Sequence, residues 1–216
     1  MRSKFDEQLK ELNNEMIKMG NMVEESIAKA VTALSVSNAD MAKQIMDNDE
    51  LVDKEQKKIE NICFQLLIQQ QPVASDLRII TAAMKMVTDM ERIGDHAADI
   101  SEMTILMSNT NEAIPKIEHI NKMAAETVMM LNWSIEAYVE RSEIKAKEVI
   151  AHDDVVDNLF LEVKNDIIDL IKNNPKEGEQ AFDMIMVAKY FERIGDHATN
   201  IAEWVLFSLA NTDELS

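Results

Sequence analysis

Carboxylates recur at four-residue spacing in four places along the chain: Asp49 with Asp53, Glu91 with Asp95 and Asp99, Asp153 with Asp157, and Glu192 with Asp196. Residues i and i+4 of a helix are neighbours on one face, with Cβ atoms about 6 Å apart. Two carboxylates so placed can share or bridge a multivalent cation. Oxygen-only ligation suits hard ions such as Mg, Ca, Mn or Fe, and zinc also accepts it. A single D-x-x-x-D is more often a solvated edge paired with a basic side chain. Four sets in two equivalent settings ask for more, because two of them lie in one heptapeptide, ERIGDHA, that occurs at Glu91–Ala97 and again at Glu192–Ala198.

The histidine of that heptapeptide follows its aspartate directly, about 100° further round a helix. A ferritin-like di-iron site uses Glu-x-x-His on one face, and the sequence contains no such pattern. His96 and His197 are therefore expected beside the ligands or on the surface, His96 within reach of Asp99, three residues on. Arg92 and Arg193 are expected to pair with acids or with an anion. Gly94 and Gly195 sit inside a helical pattern, where glycine costs about 1 kcal/mol relative to alanine. Their recurrence predicts a close approach of a neighbouring helix beside the acids.

The elements that must hold these residues are helices. Four Gly, three Pro, two Tyr and two Trp among 216 residues leave turn and strand formers scarce. Apolar residues recur at three and four, as in Leu9, Leu12, Met16, Met19, Val23, Ile27, Ala30 and Leu34. Breakers at Ser37–Asp40, around Pro72, at Ser108–Pro115, at Arg141–Glu143 and at Asn173–Gly178 mark out six segments. Each holds about 30 residues, roughly 45 Å of helix. The pattern also repeats: Asp49 aligns with Asp153, Pro72 with Pro175 and Glu91 with Glu192, at offsets of 104, 103 and 101 residues. This predicts an all-α chain made of two tandem antiparallel three-helix bundles, residues 1–110 and 111–216, with every site present twice. On a helical wheel Glu91, Asp95 and Asp99 form one stripe continuous with Ile80, Met84 and Val87, so the acids are expected to face inward, with Lys85, Asp89, Arg92 and His96 outward. Acids gathered at a partly apolar interface resist ionisation, and a bound cation relieves them.

Composition narrows the function classes. Forty acids against 22 bases give a net charge of −18, which opposes unassisted binding to nucleic acid or to an anionic membrane and suits cations or a basic protein partner. Cys63, in ICFQLLI, reads as a buried small hydrophobe. The 16 methionines follow the helical period as core residues, and Trp133 and Trp204 read as packing residues. There is no signal-type leader and no run of about 18 apolar residues, so a cytoplasmic location is expected. No phosphate-cradling glycine loop or nucleophile elbow occurs. The open alternative to a binding protein is a metalloenzyme, an oxidase or a phosphoester hydrolase, using a carboxylate-bridged multinuclear site.

Longer motifs carry a family resemblance. FDEQLKEL, EESIAKAVTAL, DNDELVD, QPVASDLR, DMERIGDHA and FERIGDHATNI span the chain almost end to end, and in this the chain resembles the PhoU family of phosphate-specific transport accessory proteins. The resemblance implies two similar three-helix bundles side by side. It also implies multinuclear metal clusters, of iron or zinc with Mn, Mg or Ca as further options, held by E/D-x-x-x-D motifs. Carried over, the ligands are Asp49, Asp53, Glu91, Asp95 and Asp99 in the first copy and Asp153, Asp157, Glu192, Asp196 and Asn200 in the second. Asn200 stands where the first copy has Asp99 and removes one negative charge. The resemblance further implies a homodimeric, non-enzymatic negative regulator. It would link the ATPase subunit of a phosphate ABC transporter to a sensor histidine kinase, meeting the membrane only through those partners.

Overall fold

A computed structural model of the chain describes residues 2–69, 73–110, 114–115 and 118–210. Six long helices account for nearly all of them: α1 (Arg2–Ser35), α2 (Ala39–Gln69), α3 (Ala74–Ser108), α4 (Glu118–Glu140), α5 (Glu143–Asn173) and α6 (Gly178–Leu209). A single 3₁₀ turn, Pro175–Glu177, leads into α6. The helix at the start of the second copy, α4, has 23 residues against the 34 of α1, so the segments are less equal than the breakers predict. Pro72 lies outside the described residues.

The two copies turn their first corners alike. Ser37 and Arg141, 104 residues apart, both adopt φ of 53°. At each, the next residue donates its N–H back to the helix: Asn38 to the Ala33 carbonyl and Ser142 to the Ala137 carbonyl, both at 2.9 Å. This is the Schellman closure, which satisfies carbonyls orphaned at a helix end. The same two residues then cap the following helix, Asn38 Oδ1 accepting from the Met41 N–H and Ser142 Oγ from the Lys145 N–H.

Helix α1 packs on α2 and α3, and α4 on α5 and α6, while α3 against α6 is the most extensive pairing and α1 touches α4. Lys85 lies by Trp204, Asp89 by Asn200 and His96 by Tyr190, so α3 and α6 run antiparallel. One apolar core continues through both copies. It buries the α1 stripe of Leu12, Met16, Met19, Val23, Ile27 and Ala30 completely, together with Cys63. Burial pushes the Cys63 thiol up to about 12, which keeps it protonated and inert.

Covered by α1, α2 and α6, helix α3 buries about 200° of its circumference, from His96 through Ile100 and Met86 round to Ile80. This corrects the inward placement of the acids. Glu91 lies at the border of the exposed arc and Asp95 and Asp99 lie within it, their side chains 16%, 31% and 38% exposed. The apolar stripe judged continuous with them belongs to the edge of a much wider buried face.

Candidate metal centres

The first carboxylate cluster forms where α2 crosses α3. Gly94 makes the crossing tight: a Cβ there would stand 3.2 Å from Val52 Cγ1 and 3.4 Å from Asp49 Oδ1. The absent side chain lets the α2 carboxylates lean over α3. Burial, then the charges of Asp95, Asp53 and Asp99, raise Asp49 from its ordinary 3.8 to about 6. Burial also raises Glu91, with Asp95, Asp53 and Asp49 adding to it and Arg92 opposing. Oε2 of Glu91 is buried without a hydrogen bond, and its nearest cationic atom is Arg92 Nε at 3.5 Å. Arg92 Nη1 donates to Asp95 Oδ2 at 2.8 Å, and His96 Nδ1 lies 3.0 Å from Asp99 Oδ2.

The second cluster repeats this arrangement where α5 crosses α6. A Cβ on Gly195 would meet Val156 Cγ1 at 3.4 Å and Asp153 Oδ1 at 3.5 Å. Asp153 is raised by burial and by Asp196 and Asp157, with the Thr199 hydroxyl acting the other way. Asp196 is raised by burial, Glu192 and Asp157, and is relieved by Lys189 and His197. Both Asp157 and Asp196 are exposed, so this cluster too opens to solvent on one side. Lys189 forms an ion pair with Glu192, and its ammonium lies 5.5 Å from the Phe160 ring centroid. Asn200 faces elsewhere: its Nδ2 donates to Asp89 Oδ1 at 3.1 Å, across the seam between the copies.

That seam holds the histidines. Only 9% of His96 is exposed, so the surface position is corrected while the contact with Asp99 forms as expected. The reason is α6, which covers the arc of α3 that a lone three-helix bundle would leave open. His96 stacks on Tyr190 at 5.7 Å and lies 5.6 Å from His197, and His197 Nδ1 is 2.8 Å from Asp89 Oδ1. Burial lowers His96, outweighing Asp99, which favours the charged form. Asp89 and Tyr190 occupy equivalent places, 101 residues apart, and were not predicted as seam residues. The only signal for them in the sequence is that the repeat loses its identity there.

Each cluster brings carboxylates from two helices to a mouth open to solvent, and in it Asp49 and Glu91, or Asp153 and Asp196, are raised first by burial and then by neighbouring acids; such oxygens are the donors a hard multivalent cation would use. Among the described residues no three His, Cys, Asp or Glu side chains already converge on one point as ligands. Each cluster instead holds a cation of its own, Arg92 in the first and Lys189 in the second.

The PhoU domain model matches this chain twice, over residues 16–104 and 120–205. A "Phosphate-specific transport system accessory protein PhoU homolog" of Clostridium acetobutylicum is 38% identical over 204 residues, 94% of this chain and 93% of that protein. The homolog from Aquifex aeolicus is 33% identical, covering 88% of this chain and 86% of its own length. Among solved structures, the crystal structure of PhoU from Pseudomonas aeruginosa superposes with a TM-score of 0.89 at 27% identity, covering 95% of this chain and 98% of that one. The phosphate transport system regulatory protein PhoU from Streptococcus pneumoniae gives 0.86 at 28% identity, covering 98% and 99%. The family is one of accessory regulatory proteins, not of enzymes. With both halves matched and the helical architecture shared, the chain belongs to the PhoU family.

Proposed function

We propose that this protein is a regulator of phosphate uptake whose two carboxylate clusters bind multivalent metal ions. The accessory role rests on the relatives it resembles along nearly its whole length, which are named for the phosphate-specific transport system. The metal-binding half is carried by one observation. Asp49 is held at about 6 by burial and by neighbouring acids on a groove that Gly94 keeps narrow, an arrangement that a cation relieves and that folding alone does not need. Asp49, Asp53, Glu91, Asp95 and Asp99 would hold the first set of ions, and Asp153, Asp157, Glu192 and Asp196 the second, with iron or zinc the leading candidates. Asn200, bonded to Asp89, would have to turn away from the seam to ligate. Bound metal would supply positive charge to a strongly acidic surface and so create a place where phosphate or a partner carboxylate can dock.

In this reading the protein is cytoplasmic and homodimeric. It joins the ATPase subunit of a phosphate ABC transporter to a sensor histidine kinase and keeps the starvation response off when phosphate is plentiful. Among the described residues no helix is long and apolar enough to cross a membrane, which suits contact through partners. The test has two arms. Elemental analysis of the purified protein should find bound transition metal, reduced in Asp95→Ala and in Asp196→Ala while both variants keep their helical spectrum. Pull-down with the ATPase subunit and with the kinase should retain each partner and lose it on chelation. Full metal content in both variants would remove the site assignment, and no retention of either partner would remove the adaptor role.

A further inference from the structure

Helices α1 and α4 each cover one copy, and they meet each other along a narrow antiparallel contact. A Cβ on Gly20 would collide with Ile135 Cδ1, so the glycine is what lets the two helices approach. Two turns away the Tyr138 hydroxyl donates to Asn13 Oδ1 at 2.8 Å. Beside this contact lies an open groove of about 300 Å³. Its apolar part is Ile17, Ile135 and Val139, of which Val139 is 43% exposed. Asn21 and Asn132 add neutral amides, and the charged residues lining it are all acids: Glu24, Glu136 and Glu140. Lys145 of α5 pairs with Glu136 and Glu140 at 2.7 and 3.0 Å. Glu24 has no ion-pair partner among the described residues. Three carboxylates against one ammonium leave the rim negative. One wall comes from each copy, so neither copy has this groove alone.

We propose that the α1–α4 groove is the docking surface for a basic amphipathic helix of a partner protein. The helix lays its apolar stripe on Ile17, Ile135 and Val139 and sets lysines or arginines against Glu24, Glu136 and Glu140. Charge selects the occupant. A second copy of this chain would bring acids against acids, at a net charge of −18 each, and an anionic membrane or a nucleic acid would meet the same repulsion. Dimensions select its shape. Ile17 to Glu24 and Asn132 to Glu140 span about 11 and about 12 Å, which is room for two to three turns of one helix. The contacts at Gly20 and Tyr138 build the walls before anything binds, so little ordering is needed on this side. The inference rests on the reading that the protein acts through partners, and it names the surface and the kind of segment that one of them uses. Neither α1 nor α4 carries a candidate metal ligand, so it stands apart from the metal-binding half of that reading.

The probe is a fluorescently labelled peptide of leucine and lysine, about four helical turns long with the leucines on one face. Its anisotropy is followed with full-length protein at physiological salt. Wild type should bind it, and a peptide of the same composition with the leucines scrambled should bind about tenfold more weakly. Val139→Asn, which removes apolar contact without adding charge, should weaken binding several-fold. Glu24→Lys together with Glu136→Lys should weaken it by about tenfold or more. Asp169→Lys together with Glu203→Lys makes the same change of net charge on exposed acids outside the groove, and should leave binding within about twofold. Far-UV circular dichroism of each variant checks that the helices persist. Equal weakening by the two pairs would reduce the effect to net charge and overturn the groove, as would equal binding of the scrambled peptide or no binding by wild type. In pull-down with the ATPase subunit and the kinase, the Glu24→Lys, Glu136→Lys protein should lose a partner that wild type retains. Retention of both would overturn this surface while the adaptor role stands. Wild type that binds the peptide in the groove but retains neither partner would overturn the adaptor role alone and support the groove.

Discussion

Asp49→Asn should make the metal-free protein more stable at neutral pH. Asp49 has a folded-state pKa of about 6 against an ordinary 3.8. At about 1.36 kcal/mol per unit this corresponds to roughly 3 kcal/mol of preference for the protonated form, and solvent at the open side of the groove reduces it to about 1–2 kcal/mol. The sign follows from the direction of the shift. A carboxyl raised on folding binds its proton more tightly in the native state, so its favourable contribution is complete below the unfolded value and is lost as pH rises through about 6. At about pH 8 Asp49 is ionised in both states and carries the full penalty. At about pH 5 roughly half of that penalty remains, because the native carboxyl is then mostly protonated. Asparagine has nothing to ionise. Urea unfolding in the presence of chelator should therefore show the variant ahead by about 1–2 kcal/mol at pH 8 and by about half as much at pH 5. Added Mn(II) should reverse the order, since wild type gains binding energy that the variant lacks. A variant less stable than wild type at pH 8 in chelator, or an advantage that does not vary with pH, would refute the claim that burial and like charge strain Asp49.

The paired glycines offer a comparison at fixed chemistry. Gly195→Ala places a methyl at ordinary contact distances from Val156 and Asp153 and should raise stability by about 0.5–1 kcal/mol through helix propensity. Gly94→Ala meets Val52 Cγ1 at 3.2 Å, so most of that gain is offset and the net should be near zero in thermal unfolding. A larger gain at Gly94 than at Gly195 would contradict the packing described. At the seam, Asp89→Leu removes the acceptor of both His197 and Asn200 and should destabilise by about 1–3 kcal/mol. An unchanged melting temperature would show that the network adds nothing to the join between the copies.

The helices and their repetition were legible because they rest on local rules. The α1 stripe from Leu12 to Ala30 is buried as its period predicts, and the corners at Ser37 and Arg141 fall where the breakers lie. The close crossings at Gly94 and Gly195 were legible for a similar reason, since a recurrent Gly inside a helix has few physical explanations and a close crossing is one of them. The direction of the acids was legible only in part. A wheel gives the angle between side chains, but the buried width of α3 depends on how many helices cover it. With three neighbours the buried arc reaches past where a two-neighbour bundle would end and takes in His96, while Glu91 is left at its other border and Asp95 and Asp99 in the exposed arc between.

ERIGDHA shows the division most clearly. Spacing alone puts the heptapeptide on a helix with Glu91 and Asp95 on one face, marks the glycine between them as needing a reason and repeats all of this twice. The packing of α3 on α6 and of α5 on α6 is what brings the histidines together, sets Asp89 of one copy against His197 and Asn200 of the other, and leaves Lys189 rather than Arg193 paired with Glu192. Periodicity is a property of one helix, read over a few turns. The partner across a seam between copies a hundred residues apart is set by how α3 and α6 pack, and no local spacing encodes it.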